Sequence, residues 1–80
     1  MNLVELTSFL VKSVVKDSES VSIKEFASEE ETIIEILVSN DEMGAVIGKK
    51  GNTINAIRTI VQASAYANNL NHVKINVESY

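Results

Sequence analysis

The residues with the clearest chemical potential form the segment Gly48-Lys49-Lys50-Gly51, in the middle of the chain. Two glycines let the backbone turn sharply, and without side chains they allow another backbone to come close. The first N–H groups of a helix that starts after Gly51 have no intrahelical acceptor, so they suit a phosphate oxygen. Lys49 and Lys50 add two full positive charges. The segment therefore predicts a site for a phosphate-bearing chain.

Apolar residues flank this segment on both sides. Val46 and Ile47 precede it, and Ile54 follows Gly51 by three residues. We expect these three side chains to form one wall of an apolar groove. Ile36 or Val38, from a predicted strand, is expected near the opposite wall.

Other arrangements of reactive residues do not match known chemistry. In Gly44-Ala45-Val46-Ile47-Gly48 only three residues separate the glycines, and Lys50 stands where a nucleotide-binding P-loop has Ser or Thr for magnesium. His72 has no Ser, Cys or carboxylate partner at a recognisable spacing. With no cysteine and a single histidine, the sequence predicts no enzyme, cofactor, metal site or small-molecule substrate.

Length and composition favour one cytoplasmic domain over residues 1–80. No apolar stretch approaches the roughly 20 residues that span a bilayer, and no secretory signal is apparent. The net charge of -4 argues against a nucleic-acid partner, but the charge is unevenly distributed. Residues 1–42 hold ten acidic residues and three lysines, a net -7, whereas residues 43–80 hold one acidic and four basic residues, a net +3. The basic half contains the glycine-lysine segment.

The spacing of apolar residues predicts six elements. Residues 3–16 fit an amphipathic helix in which Phe9 alone projects to the polar side. Residues 21–27 and 32–38 fit two strands of an antiparallel hairpin, since the polar connection between them is short. A brief helix over 42–47, a longer helix from Asn52 to about residue 67 and a strand over 73–77 follow.

These elements give an α+β fold of the order α-β-β-α-α-β. The helical excursion before the last strand is long enough to make it parallel to the second strand. The sheet is therefore predicted to be mixed and three-stranded, with the helices packed on one face.

The motif and the element order together resemble a known family. Two apolar residues, a Gly-x-x-Gly turn and the spaced Ile54 are similar to the KH signature, and the order of elements resembles the type II KH fold. The runs Met43-Gly44-Ala45-Val46-Ile47-Gly48-Lys49 and Ala56-Ile57-Arg58-Thr59-Ile60-Val61 resemble the KhpA family of small bacterial single-KH-domain proteins. That resemblance implies single-stranded RNA binding, with about four nucleotides held at the loop. The implied RNA-binding residues are Val46, Ile47, Gly48, Lys49, Lys50, Gly51, Asn52, Ile54 and Arg58.

The resemblance also implies a biological role, namely that of an RNA chaperone or a post-transcriptional regulator. It further implies a homodimer, or a heteromer with a second KH-domain protein, and the misfit of Phe9 points to the first helix, or an element beside it, as the contact. An alternative hypothesis is a protein-protein adaptor on a KH scaffold, with weak or partner-dependent RNA binding. Relatives often carry basic residues at Ala45, Asn52 and Asn55, so we expect low affinity. Arg58 either reaches a phosphate or pairs with an acidic side chain.

Overall fold

The computed structural model describes residues 2–69 and 72–80, and its elements follow the predicted order. They are α1 (Leu3–Lys12), β1 (Ser22–Ala27), β2 (Thr32–Val38), α2 (Met43–Ile47), α3 (Asn52–Ala67) and β3 (Val73–Ser79). Short 3-10 turns lie at Ser18–Ser20, Asn40–Glu42 and Lys49–Gly51. The predicted α-β-β-α-α-β order is confirmed.

The three strands form one mixed sheet in the order β1-β2-β3. β1 and β2 are antiparallel, with Ala27 opposite Thr32. β2 and β3 are parallel, with Thr32 opposite Val73 and Val38 opposite Ser79. β3 is therefore an edge strand, reached from β2 through the two helices that flank the glycine-lysine segment.

Alternate residues of β2 face the helices and form the centre of the core. Thr32, Ile34, Ile36 and Val38 are buried, whereas the residues between them are half-buried on the opposite face of the sheet. Since successive side chains of a strand point to opposite faces, the helices must cover the first of these faces. The rest of the core comes from α1, α2, α3 and β3: Leu3, Val11, Val46, Ile54, Ile57, Val61, Ala65, Val73 and Ile75.

Helix α1 is shorter than its apolar pattern predicts. It begins with a capping box formed by Asn2 and Glu5, but it ends at Lys12 and not near residue 16. The hydroxyl of Ser13 donates to the carbonyl of Phe9 over 2.7 Å, a local bond that competes with helix continuation. As a result, Val14 lies outside the helix, with 39% of its area exposed.

A buried carboxylate holds the segment after α1 in place. Glu42 is 8% exposed, and its Oε2 accepts hydrogen bonds from the backbone N–H groups of Lys16 at 2.6 Å and Asp17 at 3.4 Å. Bonds to an ionised carboxylate are stronger than neutral ones. Because Glu42 immediately precedes α2, these bonds tie the α1–β1 connection to the helix that leads into the glycine-lysine segment.

Thr7 is the one fully buried polar side chain of α1. Its residue is 0% exposed, and its hydroxyl has no hydrogen-bond partner among the described residues. The spacing of apolar residues did not predict that Thr7 is buried, because threonine carries a polar hydroxyl.

Replacing this hydroxyl with a methyl group is expected to stabilise the fold. Thr7→Val keeps the branched shape and removes a buried polar atom that lacks a partner, a change worth about 1 to 3 kcal/mol. The free energy of unfolding, from urea titration followed by circular dichroism, should rise relative to the wild type. Ser8→Val, on the neighbouring and more exposed position, serves as the control. A Thr7→Val protein less stable than the wild type would contradict this description of the site.

Candidate nucleic-acid interface

The turn between α2 and α3 contains three residues with positive φ, on either side of Lys49. Gly48 has φ 77° and ψ 173°, Lys50 has φ 57° and ψ 24°, and Gly51 has φ 77° and ψ 12°. The backbone conformation of Gly48 lies in a region of φ and ψ that residues with a Cβ almost never adopt. Lys50 adopts the left-handed conformation, which costs an L-residue on the order of 1 kcal/mol. The loop therefore stores backbone strain at the predicted site.

The space around Gly48 is as restrictive as its backbone. A Cβ built on Gly48 would lie 2.6 Å from the Cβ and 2.8 Å from the backbone nitrogen of Thr53. Gly51 is different, since a Cβ there would meet nothing closer than the Asn55 amide nitrogen at 3.8 Å. Gly48 thus lets the end of α2 touch the first turn of α3.

The two lysines present both side chains and backbone to solvent. Lys49 and Lys50 are exposed. No hydrogen bond within residues 2–69 and 72–80 uses the backbone N–H of either lysine, whereas Gly51 donates to the Gly48 carbonyl at 3.1 Å. Successive N–H groups in a right-handed then left-handed backbone form a concavity that binds anions. The predicted phosphate site therefore has both backbone N–H donors and exposed positive charges.

The prediction for the apolar wall is wrong in part. Val46 is fully buried and Ile54 is 5% exposed, so both pack in the core beneath the loop. Of the three predicted wall residues, Ile47 reaches the surface, with 38% of its area exposed. The periodicity that placed all three side chains near the loop did not reveal which of them points inward.

The opposite wall is also not where the sequence placed it. Ile36 and Val38 have no exposed surface, because β2 is the central strand and its helix-facing side is covered. A groove of about 700 Å³ instead lies between α3 and the edge strand β3. Its lining residues are Arg58, Thr59, Gln62, Ala63 and Tyr66 from α3, and His72, Val73, Lys74, Ile75 and Asn76 at β3.

Two side chains of α3 bind the free edge of β3 within this groove. The Gln62 amide oxygen accepts from the Val73 N–H at 3.2 Å, and the Arg58 guanidinium donates to the Ile75 carbonyl at 3.3 Å. Gln62 thus lies beside Val73, and the earlier residue Arg58 lies beside the later residue Ile75, so α3 and β3 run antiparallel. The loop before α3 therefore lies toward the carboxyl end of β3.

The hydrogen bonds of Arg58 within the described residues go to neutral oxygens. Its guanidinium donates to the Ile75 carbonyl and the Asn55 amide oxygen, at 3.3 Å each. A guanidinium has five N–H donors, so others remain for a ligand. Arg58 is exposed and lies about 10 Å from Gly51 along α3, at 1.5 Å per residue.

Of the residues that line the groove, the sequence analysis predicted Arg58 alone as part of the site. It missed the others, among them Tyr66, His72 and Lys74. The signal for the helix side was present, because Arg58, Gln62 and Tyr66 recur at a spacing of four and so form one stripe of α3. The strand side carried no such signal, since a sequence does not show which edge of a sheet stays open.

Within the described ranges, no group of three or more His, Cys, Asp and Glu side chains is arranged to hold a metal ion. In the same residues, no helix has the length and apolar character needed to span a bilayer.

Comparison with known proteins gives a consistent result. The KhpA/KhpB KH-domain model matches residues 4–78. The chain is 45% identical over 65 residues to the RNA-binding protein KhpA of Clostridium perfringens, an alignment that covers 81% of this chain and 87% of the relative. It is 38% identical to KhpA of Borreliella burgdorferi, with 85% of this chain and 83% of the relative aligned. KhpA of Chlamydia caviae is 36% identical, with 92% and 91% aligned.

Among solved structures, the fold is similar to part of Era. The crystal structure of Era in complex with MgGDPNP and nucleotides 1506–1542 of 16S ribosomal RNA superposes with a TM-score of 0.72. The match covers 98% of this chain but 30% of the Era chain, at 16% sequence identity. At that identity the likeness concerns the fold alone, and it agrees with the α+β architecture with a mixed three-stranded sheet.

The three glycines are expected to respond differently to alanine. Gly48→Ala should cost the most stability, more than about 2 kcal/mol, because strain at φ 77° adds to the clash with Thr53. Gly51→Ala should cost about 1 to 2 kcal/mol, the left-handed penalty without a clash. Gly44→Ala, in a helix with open space around it, should stabilise by about 0.5 to 1 kcal/mol.

Urea unfolding of the three variants measures this order directly. Gly44→Ala is the internal control, because it makes the same chemical change one helical turn before Gly48. Equal losses at Gly48 and Gly51 would show that the contact with Thr53 does not constrain the turn.

Proposed function

The chain belongs to the KhpA/KhpB KH-domain family, and from that premise we propose that it binds single-stranded RNA through Gly48-Lys49-Lys50-Gly51. The observation that carries the proposal is the loop itself, with two exposed lysines whose backbone N–H groups bond no described residue. Relatives of similar length are named RNA-binding proteins. In this role the chain is a single binding domain, not an enzyme.

Each residue of the site has a distinct part in this proposal. Gly48 and Gly51 shape the turn and allow the RNA backbone to approach, while the N–H groups and ammonium groups of Lys49 and Lys50 bind phosphate oxygens. Ile47, partly exposed beside the loop, offers apolar contact to a sugar or base. The remaining proposed residues are buried anchors or polar neighbours on the helices: Val46 and Ile54 beneath the loop, and Asn52 and Arg58 on α3.

The groove between α3 and β3 offers a path for the RNA strand beyond the loop. A strand held at the loop can continue between α3 and β3, where Arg58 and Lys74 are the charged lining residues. KH domains hold about four nucleotides at such a loop, and single-stranded RNA is the form whose bases are open to contact. In this proposal the RNA contacts the groove between α3 and β3, and not the β2 residues Ile36 or Val38 that were expected from the sequence.

A short site with few charges favours brief contacts. Ala45, Asn52 and Asn55 are uncharged, so Lys49 and Lys50 are the basic residues between positions 43 and 57, and each cation contributes to affinity by releasing counterions. Brief contacts suit a protein that acts on many transcripts in turn. For this reason we propose the role of an RNA chaperone or post-transcriptional regulator in the cytoplasm.

Reversing the two loop charges is expected to remove RNA binding without unfolding the domain. In Lys49→Asp/Lys50→Asp the side chains are exposed, and Asp tolerates the left-handed conformation of residue 50 better than most residues. Affinity for a fluorescent single-stranded RNA, measured by anisotropy, should fall by more than about tenfold.

Lys16→Asp/Lys24→Asp is the matched control, because it changes the net charge equally at two exposed lysines distant in sequence from the loop. We expect its loss of affinity to be several times smaller. If both double variants bind alike, overall charge and not this loop governs binding. A native circular dichroism spectrum is required of each.

The outer face of α1 supports a second proposal, that of self-association. Phe9 is 61% exposed, and it lines a shallow groove of about 580 Å³ together with Val4, Glu5, Ser8, Lys12 and Ser13. Two antiparallel copies of α1 related by a two-fold axis near Ser8 and Phe9 would place each Glu5 opposite Lys12 of the other copy. A two-fold contact requires such a self-complementary patch. We therefore propose a homodimer through α1, or a heteromer in which a second KH-domain protein uses the same face.

Removal of the exposed ring tests this contact. Phe9→Ser is expected to raise the dimer dissociation constant by more than about tenfold, because a buried aromatic side chain dominates small interfaces. Sedimentation velocity over a concentration series gives the constant. Phe26→Ser, which removes another exposed ring from β1, is the control. If the wild type sediments as a monomer throughout the micromolar range and captures no KH-domain partner from cells, α1 is not an interface.

A further inference from the structure

The stripe of α3 that faces the edge of β3 ends in an exposed aromatic ring. Arg58 and Gln62 use their side chains to bond the edge strand, but Tyr66, one turn further along, has 64% of its area exposed. Tyr66 lines the groove close to its end, together with His72. A ring so exposed in a groove can be covered by a ligand without displacing packed side chains.

The charges around this ring indicate what the ligand is. Arg58 and Lys74 line the groove, and none of its described lining residues is acidic. This is notable in a chain with eleven acidic residues and a net charge of -4. Cations beside an aromatic face and a polar strand edge suit a nucleic-acid strand, whose phosphates and bases meet both kinds of group.

The position of Tyr66 relative to the loop is also compatible with one continuous strand. Gly51 and Tyr66 are separated by about 22 Å along α3, at 1.5 Å per residue. Because α3 and β3 run antiparallel, the loop lies toward one end of the groove and Tyr66 toward the other. Four nucleotides stacked at about 3.4 Å each cover roughly 14 Å, so Tyr66 lies beyond a stacked tetranucleotide that starts at the loop. A hexamer reaches Tyr66 when part of the strand is unstacked and therefore more extended.

We propose that Tyr66 is a stacking platform for one RNA base, in a subsite at the end of the α3–β3 groove away from Gly48-Lys49-Lys50-Gly51. This inference rests on the proposed RNA-binding function. Phosphates between the loop and the stacked base pass Arg58 and Lys74, and His72 borders the subsite on the strand side. Every base has a π-face, so the subsite adds affinity without selecting a particular base.

The test combines substitutions with removal of single bases. Tyr66→Ser removes the ring, Tyr66→Phe keeps it, and Phe26→Ser removes an exposed ring from a different surface. Each protein is titrated with a single-stranded RNA hexamer and with six hexamers that each contain one abasic position. Affinities are measured by fluorescence anisotropy, and circular dichroism checks that every variant is folded.

We expect Tyr66→Ser to weaken binding of the intact hexamer by roughly 5- to 100-fold, the range for a stacked base, and Tyr66→Phe and Phe26→Ser to stay within about twofold. One abasic position near an end of the hexamer should reproduce this loss in the wild type. The same abasic position should cause no further loss in Tyr66→Ser. A purely structural effect of the substitution would leave the abasic losses unchanged.

Two results overturn the inference, and they differ from failure of the proposed function. If Tyr66→Ser binds the hexamer as well as the wild type does, or if its loss adds fully to that of every abasic position, no base stacks on Tyr66. If the wild type binds no hexamer, or binds it independently of Lys49 and Lys50, the loop assignment itself fails. If binding depends on Lys49 and Lys50 but not on Tyr66, the inference about Tyr66 fails and the proposed function stands.

Discussion

The close approach of Gly48 to Thr53 is the constraint on which the rest of the molecule depends. It brings the end of α2 against the first turn of α3 in a space that admits no Cβ. The direction of α3 is fixed at that point, and with it the packing of Ile57 and Val61 on the sheet and the return of the chain into β3. The same turn carries the two lysines outward. Fold and proposed site therefore share one local geometry, and a change in either alters both.

The strained loop is held by packing on both sides of it. Val46 before the turn and Ile54 after it are core residues, so the exposed segment is anchored at each end by side chains that cannot easily leave the interior. Glu42 fixes the start of α2 through the backbone of the α1–β1 connection. Such anchoring compensates the unfavourable conformation of Lys50, which alone would relax. It also keeps the N–H groups of the loop oriented before any ligand arrives, which reduces the entropy lost on binding.

The sequence predicted most of the fold because its signals were local and repeated. The period of two in β2 and the period of 3.6 in α3 gave those elements to within a residue, and the length of the excursion before β3 gave the parallel pairing. It failed at the end of α1, where side-chain bonds to the backbone overrode the apolar pattern. The Ser13 hydroxyl bonds the Phe9 carbonyl, and Glu42 accepts from the backbone that follows the helix, so the pattern through Val15 does not continue as helix. For the site, the motif located the loop. The position of the groove beside it depends on β3 being an edge strand, which is a property of the sheet topology and not of any single segment.

The distribution of charge along the chain affects how the molecule meets a large polyanion. The first 42 residues carry a net -7, whereas the groove between α3 and β3 is lined by cations alone among its charged residues. Such a polarised surface has a dipole moment, and the field around it orients the protein during diffusion before any contact forms. For the proposed RNA-binding role, this distribution favours contact at the groove and disfavours wrapping of a long transcript around the acidic part of the domain. Each bound copy would then cover a short stretch of RNA and leave neighbouring stretches of the strand open to further copies.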